Sequence, residues 1–156
     1  FAYTGTISVQ AALGGAKTTT VDMSNTYLDW ARQNFRINHI DLLQHEFLRE
    51  DCVAWLEKPH TEQYDIIVLD PPSFSNSKKM DGLLDIQKDH VALVKRCVEL
   101  LAPGGTLYFS NNLRGFKLDT AALAGLDLHE ITHQTVPQDF QQRKHVHRCW
   151  EIKATV

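Results

Sequence analysis

Tyr64-Asp65-Ile66-Ile67-Val68-Leu69-Asp70-Pro71-Pro72-Ser73-Phe74 is the stretch on which the fold reading turns. Its first six residues are nearly continuously apolar, as in a central parallel strand buried on both faces, and the paired prolines stop it. Parallel strands need helical crossovers, and these are legible on both sides. Downstream, beyond a polar loop over residues 73–82, Ile86, His90, Leu93, Val94, Cys97 and Leu101 fall on one helical stripe. Pro103-Gly104-Gly105 ends that helix, and residues 106–110 read as a second buried strand. Upstream, residues 18–22 form a short β-branched run after Gly14-Gly15, and Ser24 is a good N-cap. The amphipathic helix that follows, over residues 25–38, places Leu28, Ala31 and Phe35 on its inner face.

Residues 44–48 are a weaker strand candidate, with a short helix over 53–56. A helix is expected over residues 117–125, and strands near 129–136 and 147–153. No convincing helix separates these last two strands, so they predict an antiparallel edge hairpin. The expected fold is α/β and Rossmann-like: one domain over residues 1–156, with a mostly parallel twisted sheet and helices on both faces.

With 156 residues, 43% apolar and 22% charged, the chain is long enough to bury a core without disulfides or a structural metal. Its 16 Lys and Arg against 19 Asp and Glu exclude a grip on nucleic acid through global basicity. No apolar run approaches the roughly 20 residues of a membrane span, and no secretory signal is read. Cys52, Cys97 and Cys149 contain no Cys-x-x-Cys, which disfavours a disulfide framework or zinc knuckle and makes a reducing, cytoplasmic setting the expectation. His145, His147 and Cys149 would share one face of a strand. A metal site there is disfavoured against a terminal strand that buries Val146, Trp150 and Ile152. Phe1-Ala2-Tyr3-Thr4-Gly5 reads as a strand end running into a turn, so the first strand is expected to be truncated and the chain to be a fragment.

In open α/β sheets ligands sit outside the carboxyl ends of the strands. Three such ends here carry an acid: Asp22-Met23-Ser24, Asp51-Cys52 and Asp70-Pro71-Pro72-Ser73-Phe74. Asp22 lies 17 residues after Gly5, a spacing at which an acid closing the second strand accepts from both ribose hydroxyls of a nucleoside cofactor. Capping of the next helix is the structural alternative. The turn Tyr3-Thr4-Gly5 lacks the full G-x-G-x-x-G that cradles a pyrophosphate, which disfavours a dinucleotide and favours S-adenosylmethionine. Asp51 suits the adenine amino group, with the Cys52 N–H beside it. A helix-start acid explains it equally well. Asp70 is the most specific signal: Pro71 and Pro72 fix the backbone so that its carboxylate points rigidly into the site, and Phe74 suits stacking on an unpaired base.

Together, Phe1–Gly5, Val21–Ser24, Asp51-Cys52, Asp70–Lys78 and Phe109–Phe116 resemble class I S-adenosylmethionine-dependent methyltransferases acting on ribosomal RNA. More closely, with Gln138-Asp139-Phe140 and His147–Trp150, the chain resembles the C-terminal half of bifunctional 23S rRNA guanine methyltransferases of the RlmKL type. The resemblance implies methylation of guanine N7. It also implies an upstream methyltransferase half with a THUMP domain, which acts on N2 of another guanine. By position it makes Tyr3, Thr4 and Gly5 the methionine-side turn, Asp22 the ribose ligand and Met23 an apolar cover for adenine. Asp51 becomes the adenine contact, and Asp70, Pro71, Pro72 and Phe74 hold the guanine. A cousin family that methylates cytosine C5 needs a cysteine nucleophile where this chain has Ser110-Asn111-Asn112, so that chemistry is disfavoured. Lys78, Lys79, Lys88, Arg114, Lys117, Arg143, Lys144 and Arg148 are candidate RNA contacts, against the alternative of a solvated surface. Three rival readings are a methyltransferase for an exocyclic amine or small aromatic, a nicotinamide-dependent dehydrogenase, and an RNA-binding module without chemistry.

Overall fold

The β-branched run Thr18–Asp22 forms β1, which pairs in parallel with β2 (His45–Arg49) from Thr18 against His45 to Asp22 against Arg49. Both belong to the first of two units, Phe1–Trp55 and Leu56–Val156, in the computed structural model, which describes residues 1–75, 84–140 and 147–155. Before β1 comes α1 (Thr6–Leu13), and after it α2 (Asn25–Ile37). The start of α2 is set by Ser24, whose Oγ accepts the Tyr27 N–H at 3.3 Å. Such a cap contributes about 1 kcal/mol. Leu28, Ala31 and Phe35 are fully buried, as their spacing predicts. The Phe35 ring meets His45 and Phe47 of β2 edge-on, at 4.9 and 5.1 Å between centroids.

Helix α1 went unassigned in the sequence because its apolar residues keep no helical period, and only Val9 is buried. Its position depends on Gly5, at φ +68, where an added Cβ would lie 2.7 Å from the Ala31 Cβ. The residues before it form no strand: Ala2 N–H donates to the Val21 carbonyl at 3.2 Å, and the chain then turns at Tyr3-Thr4. A single backbone bond does not make a ladder.

After α3 (Cys52–Glu57), the second unit runs β3 (Tyr64–Leu69), β4 (Phe74–Ser75), β5 (Leu84–Asp85), α4 (Ile86–Glu99), β6 (Leu101–Asn111), β7 (Leu126–Glu130), α5 (Thr132–Thr135) and β8 (Arg148–Ala154). Its main sheet has the order β3-β6-β8-β7, with β3 parallel to β6 and the remaining pairs antiparallel. The predicted antiparallel pair is thus β7 with β8, and β8 sits inside the sheet between β6 and β7.

Four sequence expectations need correction. Strand β3 is not buried on both faces: Ile66 is 62% exposed and Val68 41%, and, two positions apart, they share one face of the strand. Leu101 opens β6 instead of closing the stripe of α4, and Pro103-Gly104-Gly105 lie within β6 where the register with β3 shifts. Residues 120–125 are turns, held by Asp119 Oδ1 accepting the Ala122 N–H at 2.9 Å and stopped at Gly125, φ +93. Finally, the strand expected near 129–136 is Leu126–Glu130, and Thr132–Thr135 is helical.

His90 shows why a histidine belongs on the apolar stripe of α4. At 2% exposure, its Nδ1 lies 3.0 Å from the carbonyls of Ile86 and Gln87, and its Nε2 accepts the Asp119 N–H at 3.0 Å. Those partners fix the neutral ring with the proton on Nδ1. The ring packs among Phe109 and Phe116, and Trp150 stacks on Phe109 at 5.7 Å.

Candidate active site

In the first unit Asp22 closes β1 and is 7% exposed. One carboxylate oxygen accepts the Tyr3 N–H at 2.9 Å and the other accepts the Ser24 N–H at 2.8 Å. The cap of α2 is Ser24, so Asp22 is free of that duty. A carboxylate has about four lone-pair sites, so two backbone bonds leave acceptor capacity on both oxygens while fixing their direction. This arrangement fits the two hydroxyls of a ribose. The turn that supplies the Tyr3 N–H is strained, with Tyr3 at φ +51 and Gly5 at φ +68. Here the structure adds a reason for Gly5 that spacing did not show: the missing side chain makes room for Ala31. The Tyr3 ring is 57% exposed and meets Tyr27 edge-on at 4.6 Å. Thr4 enters through its carbonyl, which accepts from Asn34 Nδ2 at 2.9 Å.

For Asp51 the geometry shows the helix-start role directly. Its Oδ1 accepts the N–H groups of Val53 at 2.8 Å and Ala54 at 3.3 Å. Cys52 is buried, its sulfur 3.5 Å from the Val21 carbonyl, and burial pushes its thiol pKa up. It is a packed thiol, not a reactive one. Met23, the residue after Asp22, is half-buried.

In the second unit Asp70 follows β3 directly and is exposed. Ser110 Oγ donates to its Oδ1 at 2.7 Å. Pro71 is buried, Pro72 exposed, and the Phe74 ring is 59% exposed. Ser73 Oγ bonds Asn112 Oδ1 at 2.8 Å, and the Ser73 carbonyl accepts the Ile86 N–H at 3.2 Å. The Asp70–Phe74 segment is therefore tied to the end of β6 at two points. Sequence reasoning missed Ser110 and Asn112 as its anchors, although both lie at a neighbouring strand end. Asn111 between them is buried, and its Nδ2 has no hydrogen-bond partner among the described residues. A depression of about 390 Å³ lined by Lys58, Pro59, His60, Arg96 and Leu100 lies elsewhere in this unit and touches none of these residues.

Cys149 pairs with Ser110 across β6 and β8, on the row that also holds Asp70. Burial, with the Asp70 charge adding to it, pushes its thiol pKa up, the opposite of what a nucleophile needs. His147 Nε2 lies 2.8 Å from Thr135 Oγ, and His145 falls outside the described residues. Of the candidate RNA-contacting cations, Lys78, Lys79, Arg143 and Lys144 also fall outside them. Arg114 and Lys117 are exposed, and Lys88 pairs with Asp85 at 3.2 Å.

Arg148 is spent internally. It donates to both Glu130 oxygens at 3.1 and 2.6 Å and to the Phe116 carbonyl at 2.9 Å, and lies 4.8 Å over the Trp150 ring. The Arg148 hydrogen bond is the largest cause holding the Glu130 carboxyl below its usual range, against a smaller rise from burial. A lowered folded-state pKa stabilises above the unfolded value, and the gain is lost as pH falls through the folded one. Glu130→Gln should therefore lower the melting temperature slightly at neutral pH, by up to about 1 kcal/mol in stability. Thermal melts of both proteins should converge as the pH drops below about 4. A gap that persists in acid would show that the pair is not its source.

Two orientated acids, a glycine turn and no phosphate cradle make a setting for a nucleoside without phosphates. A family model described as S-adenosylmethionine-dependent methyltransferase matches residues 1–147. This chain belongs to that family. S-adenosylmethionine is thus its cofactor, and it is a methyltransferase. Among relatives, it is 55% identical to the ribosomal RNA large subunit methyltransferase K/L of Pseudoalteromonas atlantica, over 97% of this chain and 22% of the relative. The protein of the same name from Saccharophagus degradans is 53% identical over 98% of this chain and 20% of the relative. The chain thus spans about a fifth of these relatives' length. A methyltransferase solved with SAH, SMU.776, superimposes with a TM-score of 0.80 at 27% identity, covering 98% of this chain and 43% of that one. This S-adenosylmethionine-dependent methyltransferase has the α/β fold expected from its alternating helices and strands, of the class I type that the resemblance implies. Among the described residues no helix is long and apolar enough to cross a membrane.

Proposed function

We propose that the chain transfers a methyl group from S-adenosylmethionine to N7 of a guanine in 23S rRNA. The cofactor supplies an electrophilic methyl on a sulfonium centre. Asp22 would hold its ribose through the lone pairs that its two backbone bonds leave open, with Met23 and Ser24 alongside. Asp51, through the oxygen not used on α3, and the Cys52 N–H would hold adenine. Tyr3, Thr4 and Gly5 would bound the methionine side.

The observation that carries the acceptor half of this reading is the exposed Asp70 carboxylate, fixed by Ser110 and followed four residues on by the exposed Phe74 ring. A fixed acceptor and an open aromatic face on one short segment suit the N–H edge and the π-face of an unpaired base. Guanine N7 carries an in-plane lone pair, so the reaction asks for positioning and exclusion of water, and neither a base nor a nucleophile is needed. That matches a site whose nearby thiol, Cys149, is held protonated. The names of the relatives support ribosomal RNA of the large subunit as substrate. A target base within folded rRNA must be flipped out, and the grip on the RNA would be shared with upstream methyltransferase and THUMP parts of a longer chain.

Mass spectrometry of nucleosides from rRNA treated with the full natural chain and isotopically labelled S-adenosylmethionine tests this. Label in 7-methylguanosine that disappears in a variant confined to residues 1–156 is the expected result. Label in N2-methylguanosine that depends on these residues instead would replace the N7 reading.

A further inference from the structure

We propose that Ser110 is a positioning residue for methyl transfer: its hydroxyl occupies one oxygen of Asp70 and so aims the other at the acceptor base. The inference rests on the reading of Asp70 as the residue that holds the base. In the parallel register of β3 and β6, Val68 lies against Tyr108 and Leu69 against Phe109, so the next step sets Asp70 against Ser110. Neighbouring positions in register project to the same face, and the 2.7 Å bond from Ser110 Oγ to Asp70 Oδ1 follows from that placement. On the far side, Ser110 lies against Cys149 of β8, whose buried thiol offers no competing charge.

An exposed carboxylate on its own rotates about χ2 and is solvated on both oxygens. Fixed at Oδ1 by a hydroxyl that must donate, it presents Oδ2 in one direction as an acceptor only. The following residues strengthen this: Pro71 and Pro72 restrict the backbone, and Ser73 is bonded to Asn112 one residue beyond Asn111 on the same chain segment as Ser110. Ser110 itself neither gives up nor takes a proton in the reaction. The sequence marks Ser110 only as a polar strand end, and its bond to Asp70 comes from the register of β3 and β6.

The test is a double-mutant cycle in the full natural chain, using Ser110→Ala, Asp70→Ala and their combination, with Ser110→Thr as the conservative variant. Single-turnover transfer to 23S rRNA, SAH affinity by calorimetry and melting temperature are read for each. Ser110→Ala should slow transfer about tenfold, the worth of one hydrogen bond to a charged group, with SAH affinity unchanged. Ser110→Thr should restore most of the rate, and Ser110→Ala should cost nothing further once Asp70 is Ala. Equal slowing in both backgrounds, or slowing that tracks a lower melting temperature and is not rescued by Thr, would overturn the positioning role. So would a full rate in Ser110→Ala when Asp70→Ala is strongly impaired, and this outcome leaves the role of Asp70 standing. A full rate in Asp70→Ala would remove that role and this inference together.

Discussion

Asp22→Ala should weaken SAH binding at least about a hundredfold, the combined worth of two hydrogen bonds from ribose hydroxyls to a charged acceptor. No other side chain in the first unit offers a buried carboxylate aimed by two backbone N–H groups. The substitution also strands the N–H groups of Tyr3 and Ser24, so the turn loses its anchor together with the ligand. Asp22→Asn separates the two effects, because an amide oxygen still accepts one of those bonds. Its affinity should fall between those of wild type and Ala. Calorimetric titration with SAH, with a melting curve to confirm folding, decides the matter. Wild-type affinity in a folded Asp22→Ala protein would remove the ribose role.

Asp70→Ala should lower methyl transfer about a hundredfold while SAH affinity stays within twofold, since the residue is assigned to the acceptor base and loss of its alignment falls on the rate. Asp70→Asn should hurt less than Ala, because a carboxamide oxygen still takes the Ser110 hydrogen bond and keeps the side chain in place. This ranking follows from a nucleophile that already carries its lone pair. If Asn and Ala lose activity equally and completely with cofactor affinity intact, Asp70 is moving a proton, and an amino acceptor would displace guanine N7.

Elements with a strong period were legible in the sequence. Leu28, Ala31 and Phe35 of α2 and Ile86, His90, Leu93, Val94 and Cys97 of α4 are buried as their spacing requires. The strands at Thr18–Asp22 and Tyr64–Leu69 announced themselves by composition and by what stopped them. Helix α1 did not, because Gly5 and its fit against Ala31 fix it while its own apolar residues keep no stripe. The exposure of Ile66 and Val68 was illegible for another reason: apolar character says that a face suits burial, and only the tertiary packing says whether anything covers it. In the site, acids at strand ends could be picked out by type and place. Their hydrogen-bond partners could not, since Ser110 and Asn112 meet Asp70 and Ser73 across some 40 residues of chain. A separation of 18 residues likewise hides that Arg148, a surface cation by type, is committed to Glu130.

The segment from Asp70 to Ser73 has two prolines inside and a hydroxyl tie at each end. Ordering one free residue costs about 1–2 kcal/mol of conformational entropy, and these four have lost most of that freedom in folding. On the proposed function, capture of a base here would therefore resemble a key entering a cut lock more than a loop closing over its guest. Its thermodynamic signature should be a small entropic penalty on the protein side, leaving the unstacking of the RNA as the main cost of entry.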